Sequence, residues 1–278
     1  MPLVEINGVE MYYEDAGDGH PVVLIHGSEA HHGTWEHQFQ TLSDEYRVIR
    51  YDYRGHGWTG PTDADAYSVE LWAEDLEALI EHLDVESPTL CGHSRGGLIA
   101  LSHAYRYDVS GLVLIGSAAP TTGFGTSDSQ AEIMAQIVDL IPLLVREIGH
   151  YQTIPLIFEI SNRAFDGWSG EYDEWMRLLT KDGVPGMDPA EFDKLAEKTP
   201  DESVELSTID VPTLALYGEA EVESCQPPID VLESELPAIE IVTVPEAGHL
   251  SITQQPSFVI EQIAQFVEND GGVTCHPE

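Results

Sequence analysis

Thr89-Leu90-Cys91-Gly92-His93-Ser94-Arg95-Gly96-Gly97 is the stretch on which the fold turns. A short apolar run of strand character leads into Gly-x-Ser-x-Gly, and a helical pattern follows it. A strand that turns sharply into a helix needs glycines where side chains would collide, and it lifts the serine hydroxyl above the edge of a sheet. The helix N-terminus also favours negative charge nearby. Ser94 is therefore the candidate nucleophile. The plainer alternative is a Gly-rich turn with a capping serine.

Outward from this turn, similar apolar runs recur: Val22–Ile25, Val48–Tyr51, Leu112–Ile115, Thr213–Tyr217 and Ile239–Val244. Such runs suit strands buried on both faces, as in a parallel sheet. The start differs. Leu3–Ile6 and Val9–Tyr13 flank Asn7-Gly8, a two-residue hairpin signal. Helical patterns alternate with the strands. Ser68 caps one through about Leu83, with Leu71, Leu76, Leu79, Ile80 and Leu83 on one side, and Pro256 opens a last one bearing Val259, Ile263, Phe266 and Val267. The alternation predicts an α/β fold: a mostly parallel central sheet with helices on both faces.

Between residues 120 and 207 the rhythm breaks. The patterns there are helical, Pro142, Pro155 and Pro185 interrupt them, and Phe124, Tyr151, Phe158, Phe165, Trp168, Tyr172 and Trp175 enrich the segment in aromatics. The predicted organisation is a core of residues 1–119 and 208–278 with a helical cap, 120–207, inserted between two strands. Residues after about Asp270 read as a frayed tail.

At 278 residues and 42% hydrophobic, the chain suits a single domain with an insertion. No apolar run reaches the ~20 residues that span a bilayer, and Met1–Glu5 has no targeting pattern, so no membrane association and a cytoplasmic location are expected. Asp and Glu number 50 against 11 Lys and Arg, a net charge of −39, and Lys181, Lys194 and Lys198 are the only lysines. A polyanion would be repelled, which excludes nucleic acid as a partner. The acids are spread along the chain rather than gathered in a tail, which points to adaptation to molar salt. Cys91, Cys225 and Cys275 are odd in number and lack metal-like spacing; Cys91 reads as a core residue. A monomer or a homodimer fits equally well.

Acyl transfer needs two N–H donors for the developing oxyanion. One is expected from the backbone of Arg95 and the other from the loop after His26-Gly27, with Ser28 the best candidate. His26 precedes the nucleophile and is read as structural, bonding the backbone of its own loop. His31, His32 and His37 form a histidine-rich loop, but no nearby carboxylate or cysteine completes a metal site, so none is predicted. Of the twelve histidines, three follow Ser94 by more than a helix length. His150 lies in the cap and His276 in the tail. His249, in Ala247-Gly248-His249 after the last strand, is the candidate base. The acid precedes it in the order Ser, acid, His. No Asp or Glu occurs from Val109 to Ser127, which leaves Glu219, Glu221 and Glu223 after the strand ending at Tyr217.

These features together resemble the α/β-hydrolase superfamily over nearly the whole chain: a His-Gly loop (His26-Gly27), an Asp-x-Arg-Gly-x-Gly loop (Asp52 to Gly57), the serine elbow, and a terminal Gly-His. The resemblance implies that Asp52 and Arg54 are structural. It also implies that the acid is Glu221, three residues after the glycine ending the strand, where Asp is more usual in the family. The implied activity is a serine hydrolase acting on a small acyl substrate, foremost a carboxylic ester, through Ser94, His249 and Glu221, with no cofactor. Lactone hydrolysis, thioester hydrolysis, carbon–carbon cleavage beside a carbonyl and cofactor-free peroxidation use the same residues. Serine rather than Asp at the elbow argues against dehalogenase and epoxide hydrolase chemistry. A non-catalytic receptor that keeps the fold is the rival from another class.

Overall fold

The computed structural model describes residues 3–63, 67–120, 128–190 and 204–269. Among the described residues eight strands form one sheet: β1 Leu3–Ile6, β2 Val9–Ala16, β3 Pro21–Ile25, β4 Arg47–Tyr51, β5 Thr89–His93, β6 Gly111–Ile115, β7 Thr213–Gly218 and β8 Ile239–Val244. Their order is β1-β2-β4-β3-β5-β6-β7-β8. The β1–β2 and β2–β4 pairs are antiparallel and the others parallel. The hairpin turn is Asn7-Gly8, both at positive φ (44° and 80°), as a two-residue turn of this hand requires.

The central strands are buried on both faces, and alternate residues feed two cores. Val23, Ile25, Leu90, Leu112, Leu114 and Ala215 pack on one side. Val22, Leu24, Cys91, Val113, Ile115 and Leu216 pack on the other. Helices α2 (Val69–His82) and α3 (Arg95–Ala104) cover the first face with α7 (Gln226–Glu235). Helices α1 (Glu36–Leu42), α8 (Ser251–Gln254) and α9 (Pro256–Asn269) cover the second. Ser68 caps α2 by accepting from Leu71 N–H. Trp72, absent from the sequence-based face, is fully buried there, whereas Leu71 and Leu83 are only half-buried. In α9 the four expected residues, Val259, Ile263, Phe266 and Val267, are the buried ones.

Between β6 and β7 lie α4 (Asp128–Ile148), α5 (His150–Ala164) and α6 (Asp173–Leu179), with no strand among the described residues. Pro142 and Pro155 do not interrupt these helices as expected but lie inside them. Each proline costs a backbone hydrogen bond and strains the preceding turn. The burial of Ile141, Val145, Ile154, Ile157 and Phe158 around them offsets that cost. Helices α4 and α5 share a cluster with Phe165, Trp168 and Met187, while Val204 and Leu206, placed in the cap from sequence, pack into the sheet's own core. Phe124, Cys275, His276 and the tail lie outside the described residues. Among the described residues no helix is long and apolar enough to cross a membrane.

Candidate active site

The parallel strands β5, β7 and β8 end at the same edge, and the loops beyond them bring three side chains together. Ser94 stands between β5 and α3 at φ 54°, ψ −118°, a region that non-glycine residues avoid and that persists where the surroundings over-determine it. Here they do. A Cβ on Gly92 would sit 2.3 Å from the Gly96 carbonyl oxygen, and one on Gly96 would sit 2.2 Å from that of Ile25. Ser94 N–H donates to the Ile115 carbonyl at 2.8 Å, which ties the elbow to β6.

His249 follows β8. Its Nδ1 lies 2.7 Å from Oε2 of Glu221, and both side chains are buried. Glu221 is held in turn: Gly218 N–H donates to its Oε1 at 2.9 Å and the Cys225 thiol to Oε2 at 3.5 Å. Glu219 and Glu223, the other two candidates, are exposed, and Glu219 accepts from the Glu246 N–H. The His249 backbone is fixed from both directions. Its N–H donates to the Trp168 carbonyl at 2.8 Å, and its carbonyl accepts from His93 Nε2 at 2.8 Å. The Trp168 ring stacks on the imidazole, with centroids 4.1 Å apart and planes 20° from parallel. Burial lowers the His93 pKa to about 3, so this ring stays neutral. His93 and Trp168 both position His249, and sequence had assigned neither of them a role. His93 reaches the His249 carbonyl, and Trp168 meets both the His249 N–H and its ring, contacts across the fold that leave no mark in a residue pattern.

The loop after β3 approaches the elbow so closely that a Cβ on Gly27 would be 3.3 Å from that of Ser94. His26 Nδ1 and the Tyr53 hydroxyl both donate to the Gly27 carbonyl, at 2.8 and 3.0 Å. That carbonyl and the Ser28 N–H belong to one planar peptide unit, so pinning the oxygen sets the direction of the N–H. His56 Nε2 donates to the Ser28 carbonyl at 2.6 Å. The Arg95 guanidinium hydrogen-bonds the Tyr53 hydroxyl and lies over the Trp72 ring, 5.6 Å from its centroid. His26 is thus buried and structural, with its pKa lowered to about 3 by burial.

The histidine-rich loop behaves differently from its sequence. His31, His32 and Asp52 bring ligand-type atoms within 4.8 Å of one another, so a carboxylate does complete the cluster, delivered from the end of β4. Most of its acceptor positions are already taken, however. Asp52 Oδ1 accepts from the His32 N–H and Nδ1, at 2.6 and 2.8 Å, and Oδ2 accepts from the Trp58 N–H at 2.9 Å. His31 accepts from the Gly33 N–H through Nδ1 and donates to the Leu179 carbonyl through Nε2. A metal would have to displace these bonds, and the donor set fits a loop clasp rather than a metal. Arg54 forms a buried fork with Asp75, at 2.8 Å to each oxygen. His37 pairs with Glu174 of α6 at 2.7 Å.

A cavity of about 190 Å³ opens above Ser94 and His249. Ser28, Glu29 and Arg95 are among its polar lining residues; Leu98, Ile137, Ile141, Phe158 and Trp175 are among its apolar ones. Ser94 and His249 thus line one cavity, and the imidazole is oriented from its far side by Glu221.

Comparison with known proteins identifies the family. A family model described as "Alpha/beta hydrolase family" matches residues 22–262. The chain is 28% identical to a non-heme chloroperoxidase, CPO-A1, of Kitasatospora aureofaciens, over 77% of this chain and 78% of that one. A thermophilic esterase of Thermogutta terrifontis superposes with a TM-score of 0.76 at 26% identity, covering 98% of this chain and all of the other. An esterase of Exiguobacterium antarcticum does so with 0.77 at 26%, covering 96% and 99%. With the sheet order, the elbow and the matched span in agreement, this chain belongs to the alpha/beta hydrolase family and is a hydrolytic enzyme.

Proposed function

We propose that the enzyme hydrolyses carboxylic esters through Ser94, His249 and Glu221. The buried 2.7 Å contact between Glu221 and His249 carries this reading, because it holds the imidazole in the tautomer whose other nitrogen can take a proton. Ser94 Oγ attacks the ester carbonyl and gives its proton to His249. The Ser28 and Arg95 N–H groups meet the oxyanion. The tetrahedral species collapses, and the alcohol leaves with the proton from His249. Water then adds to the acyl-serine by the same proton route and releases the carboxylic acid. Glu221 stabilises the imidazolium at each stage. The apolar cavity wall suits an alkyl or aryl portion of the substrate.

A second reading, favoured by the chloroperoxidase relative, replaces that water with hydrogen peroxide and releases a peracid from the same acyl-serine. A lactone is an ester closed into a ring and needs no different machinery.

The test is Ser94→Ala, assayed against a panel of esters, lactones and thioesters in molar KCl. We expect turnover to fall by several orders of magnitude with the circular dichroism spectrum unchanged, and a fluorophosphonate to label wild type but not the variant. Near-normal ester turnover by Ser94→Ala would remove the proposal. Peracid formation from acetate and hydrogen peroxide decides the second reading.

A further inference from the structure

The residue after Ser28 is a glutamate, and nothing in the triad chemistry uses it. Glu29 is half-buried and lines the same cavity as Ser94, Arg95 and His249. Consecutive Cα atoms lie ~3.8 Å apart, so a side chain one residue beyond the proposed oxyanion donor stays close to the scissile carbonyl. Much of the remaining wall is apolar.

The surroundings of the carboxyl sharpen the point. Burial raises its pKa, and the charges of Arg95 and His249 oppose that rise only in part. The Arg95 guanidinium is already engaged by the Tyr53 hydroxyl. Among the described residues no ion pair is formed by Glu29; its carboxyl accepts from its own backbone N–H. A carboxyl in the wall of a largely apolar cavity, with spare acceptor capacity, is costly unless a ligand supplies a donor.

We infer that Glu29 selects acyl substrates bearing a hydrogen-bond donor, a hydroxyl or an amide N–H, within a few bonds of the reacting carbonyl, and rejects substrates bearing a carboxylate there. This rests on the ester hydrolase reading and narrows its substrate class. The donor would bond the carboxyl while the substrate's apolar remainder lies against Ile137, Ile141 and Phe158. An anionic group at the same place would meet like charge in a region of low dielectric. A site built to hydrogen-bond a hydroxyl discriminates strongly against the analogue lacking it, because the buried polar group is then left unpaired.

The experiment compares methyl butanoate, methyl 3-hydroxybutanoate and monomethyl succinate by kcat/KM above neutral pH in molar KCl, for wild type, Glu29→Leu and Glu29→Gln. Ratios between substrates are the readout, so a general loss of activity cancels. In wild type the hydroxy ester should exceed the plain ester by about tenfold. That ratio should fall towards unity in Glu29→Leu and persist in part in Glu29→Gln, whose amide still accepts. The succinate monoester should gain at least about tenfold relative to butanoate in both variants. Should Glu29→Leu fail to fold, the succinate ratio in Glu29→Gln decides alone. Ratios unchanged from wild type, with Ser94 still labelled by a fluorophosphonate and butanoate still cleaved, overturn the role of Glu29 only. Failure to label Ser94 and to cleave any ester overturns the hydrolase mechanism, and this inference with it.

Discussion

Gly116 lies directly against His249: a Cβ there would sit 2.9 Å from the imidazole Nδ1 and 3.2 Å from Glu221 Oε1. The residue follows β6 at φ +55°, so space and backbone both call for glycine. Gly116→Ala should shift the imidazole or break its contact with Glu221. We expect kcat to drop at least about tenfold, since misplacement by an ångström is enough for a loss of that order. Ester turnover and near-ultraviolet circular dichroism check this; wild-type kcat in a folded variant would count against the packing argument.

The three glutamates after β7 make a controlled comparison. Glu221 is buried against His249, whereas Glu219 and Glu223 are exposed. Glu221→Gln should reduce turnover by roughly 10²–10⁴, because an amide cannot stabilise imidazolium by charge, and residual activity from the oxyanion donors should survive. Glu219→Gln and Glu223→Gln should each change it by less than about tenfold. A crippling effect of Glu219→Gln beside a harmless Glu221→Gln would reverse the assignment.

Tyr53→Phe removes one of the two donors on the Gly27 carbonyl and the hydroxyl that the Arg95 guanidinium bonds. If the Gly27–Ser28 peptide plane aims an oxyanion donor, kcat should fall more than KM rises, by about tenfold, because the interaction strengthens in the transition state. An effect confined to KM would assign Tyr53 to substrate binding instead.

Acid should destabilise the protein through its buried histidines. Burial lowers His26 and His93 to about 3 and His150 to about 4, against 6.5 unfolded. The unfolded chain therefore binds more protons than the folded one between these values. Stability from this source is complete above pH 6.5 and is lost as pH falls towards 4, at up to ~1.4 kcal/mol per unit per histidine. Urea midpoints in molar salt should already decline between pH 6.5 and 5.5, before most carboxylates protonate. Flat midpoints across that interval would contradict the burial of these rings as neutral groups.

Salt should act on the whole molecule. A net charge of −39 repels itself in the compact state, and the Debye length contracts from ~10 Å at 0.1 M to ~3 Å at 1 M. Dialysis into dilute buffer should cost tertiary structure or activity, read by circular dichroism and ester turnover. Full stability in dilute buffer without divalent ions would exclude adaptation to molar salt.

Sequence by itself determined the elements whose signals are local. The strands, the Asn7-Gly8 hairpin, the Ser68 cap, the buried stripe of α9 and the elbow around Ser94 each follow from periodicity or turn chemistry within a few residues. Chain order further singled out His249, and family spacing singled out Glu221. Tertiary structure alone decided what depends on residues meeting across the sheet. Asp52 joins His31 and His32 only because β4 and the loop after β3 end at one edge, and His93 and Trp168 grip His249 through carbonyl and amide groups. Pro142 and Pro155 stay helical because burial of their neighbours outweighs a lost hydrogen bond. The choice among three adjacent glutamates was local in sequence but global in physics: the strand end and the His249 loop bury one carboxylate and leave two in water.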